Sequence, residues 1–228
     1  MGDIFRIMGG ARLSGRAVIP AAKNAVLPIM AAAVMTGDCV TLHGCPALDD
    51  IGNMAKILEE LGCETRAEAG RLTIDGKNAH RHEMPDLLSK RLRSSIFMMG
   101  PLITRFGRAT VTYPGGCEIG LRPIDLHLKG LRRLGVEIRE EHGRIYCDGR
   151  HRHAGDVLLD FPSVGATENL MMAAVLTKGE TIIRNAAREP EIVDLQGFIN
   201  AMGGRVSGAG SSIVRIRGVD SLHGASYR

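Results

Sequence analysis

A cysteine within a glycine-rich segment is the residue of this sequence best suited to acid or nucleophile chemistry. The segment reads YPGGCEIG, and Cys117 stands among three glycines in these eight residues. Such a backbone can bring the thiol over a cleft, where a neighbouring Lys or Arg would make it a proton donor or nucleophile near neutral pH. On the local motif alone, an unreactive cysteine in a surface loop is the better interpretation.

Two basic residues occupy equivalent positions at the start of apolar helices. Lys23, followed by Asn24, opens the first helix, and Arg93 opens the second. A lysine at a helix N-terminus opposes the helix dipole, but together with unbonded backbone N–H groups it forms an anion site. An exposed lysine beside an asparagine that satisfies the first turn fits the spacing equally well.

Two further segments combine polar side chains with helix starts. The first reads RPIDLH; Arg122 offers a fork for phosphate or carboxylate, and Asp125 can accept a hydrogen bond from a uracil or a sugar. The second reads DFPSVGATEN, in which Ser163 and Gly165 leave backbone N–H groups open to a diphosphate. The simpler alternatives are a plain helix start, with Pro123 in its first turn, and a plain N-cap.

The histidines and cysteines do not predict a metal centre. His80 and His82, like His151 and His153, lie in charged, turn-like stretches where a solvated surface is the better interpretation, and no third ligand has suitable spacing. The five cysteines form no C-x-x-C pair, which disfavours a zinc ribbon or a disulfide framework. We therefore expect neither a metal nor a cofactor.

The composition is that of a folded globular protein. Of the 228 residues, 44% are hydrophobic and 24% are charged, and five Phe, three Tyr and no Trp make base-stacking nucleic-acid modules a poor fit. The longest apolar stretch, 25–35, is too short to cross a membrane, and the N-terminus has no apolar signal core. We expect a cytoplasmic protein whose net charge of +4 suits an anionic small substrate as well as a nucleic acid.

One unit of about seventy residues is written three times. Each copy has an apolar helix that ends at a glycine, a short β-branched strand (CVTLH, ATVTY, ETIIR), a second helix and a hairpin. Helices such as VLPIMAAAVM and NLMMAAVL are apolar on nearly all sides, so we expect helices at the centre and three small sheets outside. An ordinary layered domain with coincidental glycines is the weaker alternative.

The pattern predicts an α+β fold of three β-α-β-α-β-β repeats. Their approximate bounds are 17–87, 88–157 and 158–228, after an N-terminal segment 1–16. The second helices end in the matching phrases LEELGCE, LRRLGVE and INAMGGR, which fixes the phase of the repeat. We expect nothing after the third unit to cap the assembly.

With these segments assembled, the sequence resembles the enolpyruvyl transferase family, and most closely the branch that acts on UDP-N-acetylglucosamine. The matching motifs run through essentially the whole chain: AAKNAVLPIMAA, RSSIFMMGPL, RFGRATVTYPGGCEIGLRPIDLHLKGL, SVGATENLMMAAVLTKGETIIRNAAREPEIVDL and GVDSLHG. The resemblance implies an inside-out α/β barrel, or prism. It also implies transfer of enolpyruvyl from phosphoenolpyruvate to the sugar 3′-hydroxyl, the first committed step of peptidoglycan synthesis.

The resemblance implies a role for each matching residue. Cys117 matches a general acid that can bond covalently to phosphoenolpyruvate or to fosfomycin, and Lys23, Asn24 and Arg122 match contacts to phosphoenolpyruvate. The positions that match contacts to the UDP-sugar are Arg93, Arg122, Pro123, Ile124, Asp125, Leu126, Ser163, Val164 and Gly165. Phe161 stands where some relatives have Lys, so one charged contact to the nucleotide is expected to be missing.

The chain is short for this family, whose members have two three-unit domains with the active site in the cleft between them. Only the domain with the cysteine is matched. The other domain would supply an Asp base, further Arg residues and the place where residues 1–16 pack. We therefore expect little transferase activity from this chain alone, and as partners phosphoenolpyruvate, UDP-N-acetylglucosamine and the missing domain, with neither nucleic acid nor membrane.

Two other functions stay open at this point. One is a non-catalytic domain, or a remnant, that binds a UDP-sugar and needs a separate second half. The other is a relative of the enzyme that makes 5-enolpyruvylshikimate 3-phosphate, which is disfavoured because that enzyme resembles this fold without the PGGC segment.

Overall fold

The computed structural model of the protein describes residues 21–91, 93–113 and 124–228 and, among the first twenty, residues 4, 6–10, 12, 14–17 and 19. For residues 90, 91, 93 and 94 it describes the backbone alone. The predicted site residues Cys117, Arg122 and Pro123 lie outside the described residues. The described part is a mixed α+β fold.

Only the last third contains all six elements of the predicted β-α-β-α-β-β unit; in the first two thirds the described residues form no opening strand. The first third contains α1 (Lys23–Ala33), β1 (Cys39–His43), α2 (Asp49–Glu60), β2 (Glu64–Glu68) and β3 (Arg71–Asp75). The second contains α3 (Asp86–Arg91), a 3₁₀ helix (Arg93–Met98), α4 (Met99–Phe106), β4 (Arg108–Thr112), α5 (Asp125–Arg133), β5 (Glu137–Glu141) and β6 (Arg144–Asp148). The last contains β7 (Asp156–Leu158), α6 (Val164–Ala174), β8 (Glu180–Arg184), α7 (Pro190–Ala201), β9 (Val206–Ser207), β10 (Ile213–Arg217) and β11 (Ser226–Tyr227).

Two helices are buried on all sides, as their apolar sequences predict. Every residue of α1 from Ala25 to Ala33 and every residue of α6 from Ala166 to Ala174 is buried. Helices of this kind belong in the interior, because no face of them favours water. The core around them consists mainly of Leu, Ile, Val, Met and Ala side chains.

The predicted helix from Arg93 to Ile103 is wrong as a single helix, because the chain forms two. A 3₁₀ helix covers Arg93–Met98, and α4 begins at Met99. Pro101 lies in the first turn of α4, where the helix does not need its missing N–H. The side chain of Asn169 bonds the Gly100 N–H and the Ile96 carbonyl, two backbone groups at this junction.

Each sheet combines a hairpin with the strand that follows a buried helix. The strand orders are β11-β1-β3-β2, β4-β6-β5 and β7-β8-β10-β9. The antiparallel pairs β2–β3, β5–β6 and β9–β10 confirm the three predicted hairpins. β7 joins β8 in parallel, and a single parallel bridge between Glu83 and Thr110 takes the same place beside β4.

The final residues of the third unit, 158–228, join the first sheet. Ser226–Tyr227 form β11, which pairs in parallel with β1 at the edge of the first sheet. The Tyr227 hydroxyl donates to the Asp194 carboxylate in α7 at 2.8 Å, and its ring meets that of Phe198 edge to face. This strand therefore ties the third repeat to the first.

A glycine and a histidine meet in each of the three predicted repeats. The pairs are Gly62–His80, Gly135–His153 and Gly203–His223. Each glycine has a positive φ, and a Cβ on it would lie only 2.6–2.9 Å from an imidazole atom. His80, His151 and His153 are exposed, as predicted, while His82 is half-buried. The phased glycines thus end the second helices in a left-handed conformation and leave room for a ring.

Candidate functional site

The start of α6 is an ordinary capped helix. Ser163 is the N-cap, and its hydroxyl accepts a hydrogen bond from the Ala166 N–H at 3.3 Å. Its carbonyl oxygen accepts from both the N–H and the hydroxyl of Thr167, at 3.0 and 2.8 Å. Val164 and Gly165 are half-buried, and their N–H groups have no carbonyl partner within the helix. The N-cap alternative is what the structure shows, and it leaves two N–H groups for an anion.

The start of α5 lies beside a groove. Ile124 is buried, Asp125 is exposed in the first turn, and Leu126 is half-buried. Leu126 lines a groove of about 590 Å³ between α5 and the segment from β7 to Asp160. Lys129 pairs with Asp160 across it at 2.5 Å. Of the predicted sugar-nucleotide contacts, Leu126 lines this groove, and of the segment DFPSVGATEN, Asp160 does.

Lys23 is tied to a carboxylate that the sequence reasoning missed. Its Nζ lies 2.6 Å from Asp50 Oδ2, which links the first turn of α1 to the first turn of α2. Ala22 caps α1 without a side-chain hydrogen bond, and Asn24 is exposed. The acidic pair Asp49–Asp50 at the start of α2 was the available signal, since carboxylates are stabilised at helix N-termini.

A buried asparagine joins three of the predicted segments. Asn169 Oδ1 accepts from the Gly100 N–H at 2.7 Å, and its Nδ2 lies 2.8 Å from the Ile96 carbonyl oxygen and 2.8 Å from His127 Nδ1. Ile96 belongs to the 3₁₀ helix that Arg93 opens, His127 lies on α5 and Asn169 on α6. The network therefore fixes the backbones of the predicted ligand segments relative to one another.

Burial keeps His127 uncharged near neutral pH. The residue is 6% exposed, and desolvation lowers its pKa to about 4, although the negative charge of Asp125 acts in the opposite direction. The far edge of the ring lies against α6. A Cβ on Gly165 would stand 3.0 Å from His127 Cε1 and 3.2 Å from its Nε2, so any larger residue would press on the ring.

Glu168 is a second buried polar residue of α6. It is fully buried, and neither carboxylate oxygen has a hydrogen-bond partner within the described part of the chain. Desolvation raises its pKa well above the ordinary value, and the negative charges of Glu191 and Glu189 raise it further. Burial therefore favours the neutral, protonated carboxyl over the carboxylate.

Sequence reasoning missed His127, Glu168 and Asn169, although all three lie in motifs that it quoted. The signal was the pair of polar residues at 168–169 within the apolar run of α6. Long polar side chains on a helix with no exposed face must be paired or neutral. Asn169 is paired through its hydrogen bonds, and burial favours the neutral form of Glu168.

Two further observations bear on the kind of site. Across the described ranges, no group of three or more His, Cys, Asp or Glu side chains is placed to hold a metal ion. None of the helices described above is long and apolar enough to cross a membrane. The site residues are instead helix starts, a lysine and a buried amide, which is the chemistry of anion and hydrogen-bond recognition.

The fold and the candidate site segments match those of one protein family. The family model described as EPSP synthase (3-phosphoshikimate 1-carboxyvinyltransferase) matches residues 7–228. The chain belongs to this family, and the resemblance to enolpyruvyl transferases is confirmed.

Two curated relatives with the same enzyme name match nearly the whole of this chain. The chain is 49% identical over 223 residues to UDP-N-acetylglucosamine 1-carboxyvinyltransferase 2 of Caldanaerobacter subterraneus subsp. tengcongensis, covering 98% of this chain and 54% of the relative. It is 50% identical over 228 residues to UDP-N-acetylglucosamine 1-carboxyvinyltransferase 1 of Symbiobacterium thermophilum, covering 96% and 51%. The chain spans about half the length of the curated relatives it matches.

Solved structures share the fold. The enolpyruvyl transferase NikO from Streptomyces tendae superposes with a TM-score of 0.83 at 22% identity, covering 96% of this chain and 52% of that one. EPSP synthase from Acinetobacter baumannii superposes with a TM-score of 0.72 at 18% identity, covering 93% and 48%. At these identities the likeness concerns the fold alone.

Proposed function

We propose that this chain is the half of an enolpyruvyl transferase that carries the cysteine segment, and that the whole protein acts on UDP-N-acetylglucosamine. The observation that carries the proposal is the 49% identity to a UDP-N-acetylglucosamine 1-carboxyvinyltransferase along 98% of this chain. The PGGC segment and the RPIDLH string favour the same substrate over shikimate 3-phosphate.

The reaction is an addition followed by an elimination. The sugar 3′-hydroxyl oxygen bonds to C2 of phosphoenolpyruvate while a proton is added to C3. The adduct then loses phosphate from C2 and a proton from C3, which restores the double bond on the sugar ether. Because carbon is protonated, a positioned acid is needed, and we assign that role to Cys117.

The remaining roles follow the matching positions. Lys23, Asn24 and Arg122 bind phosphoenolpyruvate in this proposal. The UDP-sugar is bound by Arg93, Arg122, Pro123, Ile124, Asp125, Leu126, Ser163, Val164 and Gly165. The unbonded N–H groups at the start of α6 support an anionic ligand, and the groove that Leu126 lines, about 590 Å³ in volume, supports a nucleotide-sized one. Phe161, which is 66% exposed, replaces a charged contact.

A second half completes the site in this proposal. It supplies an Asp that takes the proton from the 3′-hydroxyl, further arginines, and the surface on which residues 1–16 pack. Closing two halves around the substrates excludes water and strengthens the attraction between the fixed positive charges and the anionic substrates. The chain alone is accordingly expected to bind UDP-sugar weakly and to turn over little.

The finer architecture and setting belong to the same proposal. The three sheets enclose the buried helices as an inside-out barrel of repeats 17–87, 88–157 and 158–228. Helices α1 and α6, which have no exposed face after their first turns, support this arrangement. The reaction takes place in the cytoplasm and begins peptidoglycan synthesis, and it is blocked by fosfomycin.

Calorimetry tests which substrate the protein binds. UDP-N-acetylglucosamine is titrated into the chain, with and without an added second half, and shikimate 3-phosphate serves as the control ligand. We expect binding of the UDP-sugar that tightens when the second half is present, and none of the control. Binding without any turnover by the combined halves would favour a non-catalytic UDP-sugar module. Preference for shikimate 3-phosphate would contradict the proposal.

Alkylation tests the cysteine. In a two-half version of the protein, mass spectrometry should find one fosfomycin adduct on Cys117 and none in the Cys117→Ser variant. An unchanged adduct in that variant contradicts the assignment. Phosphate release by the isolated chain should stay near background, and robust release would show that no second half is needed.

A further inference from the structure

We propose that Asn169 is a positioning residue: its amide fixes the orientation and tautomer of His127 and the register of α6 against the segment that Arg93 opens. The part of this inference that concerns ligand binding rests on the proposed function. The part that concerns His127 stands on the geometry of the free protein.

The three hydrogen bonds allow only one arrangement of protons. A backbone N–H can only donate, so the atom of Asn169 that faces Gly100 at 2.7 Å is the carbonyl oxygen. A carbonyl can only accept, so the atom facing Ile96 at 2.8 Å is the amide nitrogen. The second hydrogen of that nitrogen points to His127 Nδ1, 2.8 Å away. Nδ1 must therefore accept, and the ring proton is on Nε2.

The position of this proton matters because of where the ring lies. The Nε2 edge of His127 faces Gly165 in the first turn of α6, and its Nδ1 edge faces Asn169 about one turn later on the same buried helix. With Nδ1 occupied as an acceptor, the edge beside the predicted ligand segments presents an N–H donor. An imidazole with the other tautomer would present a bare nitrogen, which repels phosphate oxygens.

The same amide holds two backbones in contact. A Cβ on Gly100 would lie 2.5 Å from the backbone carbonyl oxygen of Asn169 and 3.0 Å from its side-chain Oδ1, so α4 and α6 approach more closely there than a side chain at position 100 allows. The 3₁₀ helix that begins at Arg93 ends directly before this contact. Asn169 is fully buried. A change in its hydrogen bonding would therefore move the segments themselves.

A neighbouring contact provides a matched control. Thr104 donates its hydroxyl hydrogen to the Met172 carbonyl oxygen at 2.7 Å, and this bond is also buried between α4 and α6. It does not involve His127. Thr104→Val should lower stability as a lost buried hydrogen bond does, and leave the tautomer unchanged.

Long-range ¹H–¹⁵N NMR of the histidine side chains in the 228-residue chain tests the first part. Wild-type His127 should be neutral, with its proton on Nε2, down to about pH 5. In Asn169→Asp the carboxylate has no hydrogen for Nδ1, so Nδ1 becomes protonated, and the proton affinity of His127 should rise at least 100-fold. Thr104→Val should change it less than threefold. A wild-type proton on Nδ1 would overturn the proposal, and this result does not depend on any variant folding.

Ligand affinity tests the second part. Calorimetry with UDP and with UDP-N-acetylglucosamine should give at least tenfold weaker binding for Asn169→Asp than for Thr104→Val, at equal secondary structure by circular dichroism. Equal affinities in the two variants would overturn the positioning role. A wild-type chain that binds neither ligand, with or without the second half, contradicts the proposed function instead, and the NMR result still decides the role of Asn169 toward His127.

Discussion

Lys23 donates to Asp50 across 2.6 Å, and this ion pair joins the first turns of α1 and α2. Both side chains are partly exposed, at 46% and 34%, and exposed pairs of this kind contribute at most about 1 kcal/mol to stability. In the proposed function Lys23 binds the anion phosphoenolpyruvate, and the Asp50 carboxylate already accepts a hydrogen bond from its amine. We therefore infer that Asp50 competes with the ligand for the Lys23 amine and contributes little to the stability of the fold.

Asp50→Asn should strengthen anion binding. The amide keeps the size of the side chain and removes the negative charge beside Lys23, so affinity for phosphoenolpyruvate should rise about two- to fivefold at low salt. The free energy of unfolding should change by less than about 1 kcal/mol. Calorimetry in low and high salt, with denaturant unfolding, measures both. Lys23→Met, which removes the amine, is the control that should abolish binding. Weaker binding by Asp50→Asn would mean that Asp50 orients the amine.

Glu168 should make the protein less stable as pH rises. Burial raises the pKa of its carboxyl in the folded chain, so the folded form keeps a proton that the unfolded form releases. The contribution to stability is complete below the unfolded pKa, near 4.5, and is lost as pH rises from there toward the folded pKa. Denaturant unfolding at pH 5 and pH 8 should show a smaller loss of stability in Glu168→Gln than in the wild type.

Glu168→Leu provides the matched test of burial. The two side chains are of similar size, and the leucine has no polar atoms to leave without partners. At pH 8 this variant should be more stable than the wild type by about 1–2 kcal/mol. A loss of stability in Glu168→Leu, with an unchanged pH slope in Glu168→Gln, would show that the carboxyl has a hydrogen-bonding role in the protein.

The glycine–histidine contact of the second repeat should be sensitive to a single methyl group. Gly135 has φ +80°, and a Cβ there would lie 2.8 Å from His153 Cδ2. Gly143 has φ +75° and open space around it, so Gly143→Ala measures the backbone cost alone, about 1–2 kcal/mol. Gly135→Ala should cost at least about 1 kcal/mol more in thermal or denaturant unfolding, because overpacking adds to the backbone cost.

A double variant isolates the clash. Adding His153→Ala to Gly135→Ala removes the ring and should recover the excess over Gly143→Ala. Equal losses of stability in the two glycine variants would mean that His153 moves aside freely. The glycine–histidine contact would then contribute nothing to the free energy of unfolding.

Local patterns in the sequence predicted most of the fold. The buried helices, the strands after them and the hairpins follow from apolar runs, β-branched runs and phased glycines, all of which act within a few residues. The break at Met99 and the pairing of β11 with β1 were not predicted, because distant partners decide them. Asn169 bonds Gly100 across 69 positions, and Ser226 pairs with Thr41 at the other end of the chain.

In the candidate site, too, local sequence patterns predicted some residues, and contacts between distant residues decided the others. Helix starts at 23, 125 and 163 could be found because caps and basic residues have local signatures. The bond between Asn169 and His127 could not, because each residue alone looks like an isolated polar side chain in a helix. Only the packing of α5 on α6 reveals that one fixes the proton of the other.

Ser163 should separate helix capping from ligand binding. Its hydroxyl caps α6, so Ser163→Ala should cost about 1 kcal/mol of stability, whereas Ser163→Gly should cost only a few tenths, because glycine is tolerated at an N-cap. If the hydroxyl also binds the UDP-sugar, both variants should lose affinity in calorimetry by a similar factor, despite their different stabilities. Affinity that falls in step with stability would make Ser163 a cap alone, and the ligand would then use the N–H groups of Val164 and Gly165.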